Sequence, residues 1–129
     1  MAEPTIDRRP PVSGATRLAA VIGDPVRHSL SPTLLGAAFA ETGLDWTYVA
    51  LEVADGSVRG ALDGMRAFGI SGLSVTMPHK AAVAAVVDRC TDDAAALGAV
   101  NCVVVEEGQL VGYNTDGGGF LDGLAHDSG

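Results

Sequence analysis

The chain has 129 residues, 47% of them hydrophobic, with a mean hydropathy of +0.27, which suffices for one domain with a well-buried core. Eight basic residues stand against sixteen acidic ones, giving a formal charge of −8 and a pI near 4.5. That balance opposes attraction to nucleic-acid phosphates and anionic lipid, so neither is an expected partner.

Residues 1–16, MAEPTIDRRPPVSGAT, lack the apolar run of a signal peptide and read as a proline-rich, flexible arm. The longest purely apolar run, AAVAAVV at 81–87, is too short to span a bilayer. Cys90 and Cys102 form neither a CxxC pair nor a dense disulfide framework, and read as reduced structural thiols. A cytoplasmic protein without a metal site is the expectation.

RLAAVIG at 17–23 is an apolar run closed by glycine, predicting a buried strand that leads into Asp24-Pro25. SPTLLGAAFAETG then spells a helix, with Ser31 as N-cap, Pro32 at the first helical position and Gly43 as the stop. WTYVALEV at 46–53 is rich in β-formers, and SVRGALDGMRAFG at 57–69 sets Val58, Leu62, Met65 and Phe68 on one helix face. ISGLSVTM at 70–77 predicts a third strand, followed by Pro78 and an alanine-rich helix over 79–88.

A short helix follows, with Thr91 as N-cap, Asp92 and Asp93 in the electropositive first turn, and Gly98 as breaker. AVNCVVVEEGQLVGYNTD holds two strand runs joined by Glu106-Glu107-Gly108-Gln109, a hairpin that brings one antiparallel strand into the sheet. The last stretch, DGGGFLDGLAHDSG, starts as a helix and turns small and polar. The prediction is an α/β domain over 17–124, its sheet mostly parallel and covered by helices, with 125–129 opening a linker.

The lone lysine, Lys80, lies two residues behind Pro78; the other seven basic residues are arginines. Pro78 ends the strand and lets a helix begin within about a residue, so Lys80 falls in a first helical turn beyond the carboxyl end of a parallel strand. Ligands bind at that edge in open α/β sheets. Helix dipole and partial burial both disfavour the positive charge there, which suits a general acid or base, although a surface lysine lying over the alanine face fits the same spacing.

Other motifs also have two readings. In RHSLSP, the hydroxyls of Ser29 and Ser31 beside a helix N-terminus suit a small carboxylate; capping by Ser31 alone explains them as well. Thr76, on the pleat face of Ser74, can present its hydroxyl to the same crevice or simply serve the strand. Asn101 is unusual inside the apolar run AVNCVVV and needs partners, of which a ligand hydroxyl is one. Asn114, Thr115 and Asp116 form a polar cluster in which Asp116 is either a helix cap or a partner of Lys80. His28 reads as a loop histidine, and Gly117 to Gly119 do not form a dinucleotide fingerprint.

Together, GDPVRHSLSP, GLSVTMPHK, LGAVN and GYNTDGGGF, in this order over 21–120, resemble the N-terminal substrate-binding domain of shikimate dehydrogenases. The resemblance implies a three-layer α/β/α sandwich on a six-stranded sheet with one antiparallel strand. It implies that Ser29 and Ser31 hold the shikimate carboxylate, that Thr76, Lys80, Asn101, Thr115 and Asp116 surround the ring hydroxyls, and that Lys80 and Asp116 are the catalytic pair. Asp92 lies where family members touch NADP from this domain. The family interconverts 3-dehydroshikimate and shikimate, in aromatic amino-acid biosynthesis, and homodimers are compatible with it.

This sequence departs from the family at Ser74, often Asn, at Cys102, commonly Thr, and in lacking a glycine-rich NADP-binding Rossmann unit within its 129 residues. The expectation is a chain that binds substrate but does not turn over alone. A quinate/shikimate dehydrogenase and a non-catalytic binding module stay open as alternatives.

Overall fold

In a computed structural model of the chain, residues 6–115 are described. Asp116, the predicted last helix and the linker at 125–129 lie outside them. Ten elements follow in order: β1 (Arg17–Gly23), α1 (Ser31–Thr42), β2 (Trp46–Glu52), α2 (Val58–Phe68), β3 (Gly72–Val75), α3 (Lys80–Val86), β4 (Arg89–Cys90), α4 (Asp92–Leu97), β5 (Cys102–Glu106) and β6 (Gln109–Tyr113).

The strands form one six-stranded sheet in the order β2-β1-β3-β5-β6-β4. β1 pairs in parallel with β2 and β3, β4 in parallel with β6, and β5 runs antiparallel to both its neighbours. The predicted hairpin turns through Glu107 and Gly108, both at positive φ (52° and 77°), as a two-residue primed turn requires. The single antiparallel strand thus follows from a two-residue link, because a parallel return needs a crossover.

Helices cover both faces. α1 lies on one, where Phe39 joins Ala19, Val21, Trp46, Tyr48, Cys102 and Val104 in a core; Phe39 stacks on Trp46 at 5.8 Å. α2, α3 and α4 lie on the other, contributing Leu62, Met65, Val83 and Ala94 to a core with Ile22, Leu73 and Val103. This alternation of neighbours along each strand gives the expected three layers. Residues 6–16 run against α1 and β2, with the Arg8 N–H donating to Ala40 O at 2.8 Å and the Thr16 hydroxyl to Asp45 at 2.8 Å.

Several boundaries differ from the sequence reading for local reasons. The N-cap of α1 is Leu30 rather than Ser31, because Ser29 Oγ accepts the Ser31 N–H at 3.2 Å and the helix starts one residue early. Phe68, predicted on the buried stripe of α2, is 84% exposed; the buried stripe closes at Met65, and the helix ends at left-handed Gly69 with its final side chain facing out. α3 stops at Val86 rather than 88, and β4 was not visible in the pattern at all. Asp88 explains both: its N–H donates to Leu110 O at 3.0 Å and its carboxylate accepts the Leu110 N–H at 2.8 Å, drawing the chain onto β6. Among the described residues, no helix is long and apolar enough to cross a membrane, and no group of three His, Cys, Asp or Glu side chains is placed to hold a metal ion.

Candidate active site

At the carboxyl ends of β1 and β3 lies a cavity of ≈ 420 Å³. The hydroxyls of Ser29 and Ser31 enter it from the loop after β1 and the start of α1; Ser74 and Thr76 enter from β3 and the turn beyond it. Val21, Val26 and Val75 supply apolar wall, and His28 stands at the side. Gly23 makes this convergence feasible: a Cβ there would collide with Thr76 Cγ2, so glycine lets β1 pass close under the turn after β3.

Each serine has a defined role in the wall. Because Ser29 Oγ already accepts the Ser31 N–H, its own proton is available to a ligand. The first turn of α1 carries no acidic side chain and its Leu30 cap makes no side-chain hydrogen bond, so the positive end of the helix dipole faces the cavity without compensation. An anion of carboxylate size fits these donors.

Ser74 is held from behind. The Tyr48 hydroxyl donates to Ser74 Oγ at 2.8 Å. Burial pushes Tyr48 up to about 12, the hydrogen bond to Ser74 only partly offsetting it. Cys102, opposite Ser74 on β5, is likewise pushed up to about 12 by burial and is a packed, protonated thiol. Both groups are neutral at physiological pH.

Lys80 is the first helical residue of α3 and is exposed. Its carbonyl accepts the Val100 N–H at 3.0 Å, which ties the lysine-bearing turn to the strand that carries Asn101. The preceding residue, His79, caps α3 and is buried to 1%, with its Nε2 donating to Val53 O. The turn before Lys80 is therefore fixed at two points.

Asn101 uses its side chain as a strand pair would: Oδ1 accepts the Thr115 N–H at 2.8 Å, while Nδ2 donates to Thr115 O. The partner that burial demanded is thus backbone, with one lone pair and one N–H of the amide left over for a ligand. Asn114 adds a second latch, Nδ2 donating to Ala99 O at 3.0 Å. Among the described residues, the Thr115 hydroxyl is buried without a hydrogen-bond partner, which is uncommon for a native polar atom.

The shikimate dehydrogenase substrate binding domain family matches residues 21–103, a span that contains the cavity, Lys80 and Asn101. This chain belongs to that family. The shikimate dehydrogenase (NADP(+)) of Citrifermentans bemidjiense is 50% identical over 113 residues, 88% of this chain and 39% of the relative. That of Rubrobacter xylanophilus is 50% identical over 113 residues, 87% of this chain and 40% of the relative. The solved shikimate 5-dehydrogenase from Listeria monocytogenes, in complex with shikimate and NAD, superposes with a TM-score of 0.80 at 39% identity, over 92% of this chain and 41% of that one. The ligand-free 5-ketofructose reductase of a Gluconobacter strain superposes with a TM-score of 0.77 at 32% identity, over 88% and 41%. This chain therefore spans well under half the length of these relatives.

Within this substrate-binding domain, the residues singled out from sequence fall into three groups. Ser29, Ser31 and Thr76 meet in one cavity. Lys80, Asn101 and Thr115 lie on the neighbouring segments joined by the Val100 and Asn101 bonds. Asp92 stands apart as an exposed first-turn residue of α4, beside the Thr91 cap whose Oγ1 accepts the Ala94 N–H at 3.4 Å. Asp116 lies outside the described residues. The burial expected of Lys80 is not found, since a first-turn side chain beyond the sheet edge has no covering element among the described residues. Sequence reading missed Tyr48 and His79; a signal for Tyr48 existed, because a tyrosine in register with Trp46 on one strand face is buried and needs a partner for its hydroxyl.

Proposed function

We propose that this chain is the substrate-binding part of a shikimate dehydrogenase and that it binds shikimate or 3-dehydroshikimate in the cavity between α1 and β3. The observation that carries the reading is the convergence of hydroxyls from separate segments on one cavity at an uncompensated helix N-terminus, with the lysine-bearing turn at the same sheet edge. Ser29 and Ser31 bind the carboxylate; Thr76, Asn101 and the partnerless Thr115 hydroxyl receive ring hydroxyls. Lys80 holds the proton of the reacting hydroxyl and gives or takes it during oxidation or reduction, and Asp116 orients that exchange.

NADP supplies the hydride chemistry when bound. An exposed carboxylate such as Asp92 fits a hydroxyl or amide of the nicotinamide riboside end rather than a phosphate, and we assign it that contact. The rest of the cofactor site belongs to the larger part of the relatives that this chain does not match. Without cofactor held against substrate, an advantage of roughly 7–11 kcal/mol in favourable cases is lost, so the 129-residue chain binds without turning over.

Calorimetry of this chain with shikimate tests the reading. Saturable binding at one site is expected, and a Lys80→Ala variant keeps its stability within about 0.5 kcal/mol while losing about 10-fold in affinity. Absence of binding to a folded chain, or identical affinity after Lys80→Ala, refutes the assigned site. Quinate in the same titration separates the two acid substrates, and robust reduction of NADP would refute the claim of inactivity.

A further inference from the structure

Among the described residues, His79 is the only basic or carboxylate side chain that is buried. An apolar side chain would fill the same space with no polar atom to satisfy, so packing alone does not account for an imidazole there. Its Nε2 meets Val53 O, and a carbonyl oxygen only accepts, so that nitrogen carries the hydrogen and the ring orientation is set. The bond joins the ends of three strands. Val53, just after β2, donates its N–H to Gly23 O at 3.0 Å; Gly23 closes β1, and the next residue, Asp24, donates to Met77 O at 3.1 Å, beyond β3. On the other side Lys80 O accepts the Val100 N–H, so Lys80 stands between a side-chain tether one residue before it and a backbone tether of its own.

Resting on the reading that Lys80 meets the reacting hydroxyl, we propose that His79 is a positioning residue for Lys80, acting through the Nε2–H bond to Val53 O. With this bond made, the first turn of α3 is held against the ends of β1 and β2, and the lysine stem leaves it in one direction. Without it, the turn keeps its backbone bonds to Thr76 and Val100 but loses its hold on the end of β2. A long, exposed side chain such as Lys80 then magnifies a small rotation at its base. A misplacement of about 1 Å costs on the order of 100-fold in rate, so a bond that touches no ligand still governs how the ring hydroxyls are met. The carboxylate end does not depend on it, because Ser29 and Ser31 belong to the loop after β1 and to α1. His79 thereby favours a hydroxylated ring acid over the bare acid.

The test uses this chain, shikimate, and cyclohex-1-ene-1-carboxylate, which keeps the carboxylate and ring without the hydroxyls, with affinities read by NMR titration. Lys80 is the only lysine in the sequence, so lysine labelled at Cε adds a single signal from that side chain. Glutamine carries its amide N–H as many bonds from Cα as the histidine Nε2, and asparagine stops one bond short. His79→Asn is expected to weaken shikimate about 10-fold while changing cyclohexenecarboxylate by less than about 3-fold, and to reduce the shift of the Lys80 signal on shikimate binding. His79→Gln is expected to restore that shift and to bring shikimate affinity within about 3-fold of wild type. Coupling is reciprocal, so in the wild-type chain saturating shikimate slows hydrogen exchange of the His79 Nε2–H by the same factor of about 10, and cyclohexenecarboxylate does not. This last measurement decides the matter if neither variant folds. Equal losses for the two ligands, a His79→Gln chain as weak as His79→Asn, unchanged shikimate affinity in His79→Asn, or ring N–H exchange that shikimate leaves unchanged would each overturn the positioning role and leave the site standing. A wild-type chain that binds neither acid overturns site and positioning role together.

Discussion

On the α2–α3–α4 face of the sheet the core is aliphatic apart from one thioether: Ile22, Leu62, Met65, Leu73, Val83, Val103 and Leu110 are all buried to 1% or less. On the α1 face the same strands present Trp46, Tyr48, Cys102 and Tyr113, with Ser74 hydrogen-bonded at the edge of the core. The first face holds the fold by area and packing. The second gives up some aliphatic burial for hydroxyls that are satisfied internally on one side and open to a ligand on the other. A binding site can sit in such a wall at little cost because the buried Tyr48 hydroxyl already has Ser74 as a partner.

The widest separation of the two faces comes from Leu62→Ala, which is expected to lower unfolding free energy by about 2–5 kcal/mol in urea titrations. The folded fraction keeps its shikimate affinity, since the cavity lies across the sheet. If affinity falls in step with stability, the two faces are not independent. Asn101→Ala comes next, at about 1–3 kcal/mol, because it orphans the Thr115 backbone pair. Faster hydrogen exchange at the Thr115 amide is the accompanying signature.

A pH series then sharpens the contrast. Tyr48 and Cys102, raised by burial, and Tyr113, raised chiefly by its hydrogen bond to Glu106, are each pushed up to about 12. Unfolded, these groups titrate near 10 and 8.5, so the stability they contribute is present at neutral pH and is lost as pH rises from about 8.5 towards 12. The urea midpoint is expected to fall through that window, and less steeply in Tyr113→Phe. The smallest effect is on the acid side. Asp88 is held below its usual range by the Leu110 N–H first and Arg66 second. Its contribution is present above about pH 4 and lost below, so Asp88→Asn flattens the acid limb of the same titration.

Much of this molecule can be read from the chain. The strand–helix alternation, the hairpin at Glu107-Gly108 and the serines ahead of α1 are local signals, in which each residue's preference agrees with its neighbours. Phe68 shows the limit, since periodicity carries a stripe to the end of a helix without showing that its final side chain is left uncovered. β4 shows another, because two residues have no period and only Asp88 reaching Leu110 creates the strand.

The sequence by itself determined the order of the elements other than β4, the sheet edge where Ser29, Ser31 and Thr76 meet, and the family signature that runs through Ser31, Lys80 and Asn101. Only the tertiary structure decided which polar groups share partners: that Asn101 is bonded to Thr115, that His79 anchors the turn of Lys80 to Val53, and that Tyr48 is bonded to Ser74. Secondary-structure preference acts over a few residues and leaves a mark in the sequence. Hydrogen-bond satisfaction in a core joins residues far apart in the chain, 26 positions for Tyr48 with Ser74 and for His79 with Val53, and is settled only when the sheet brings them together.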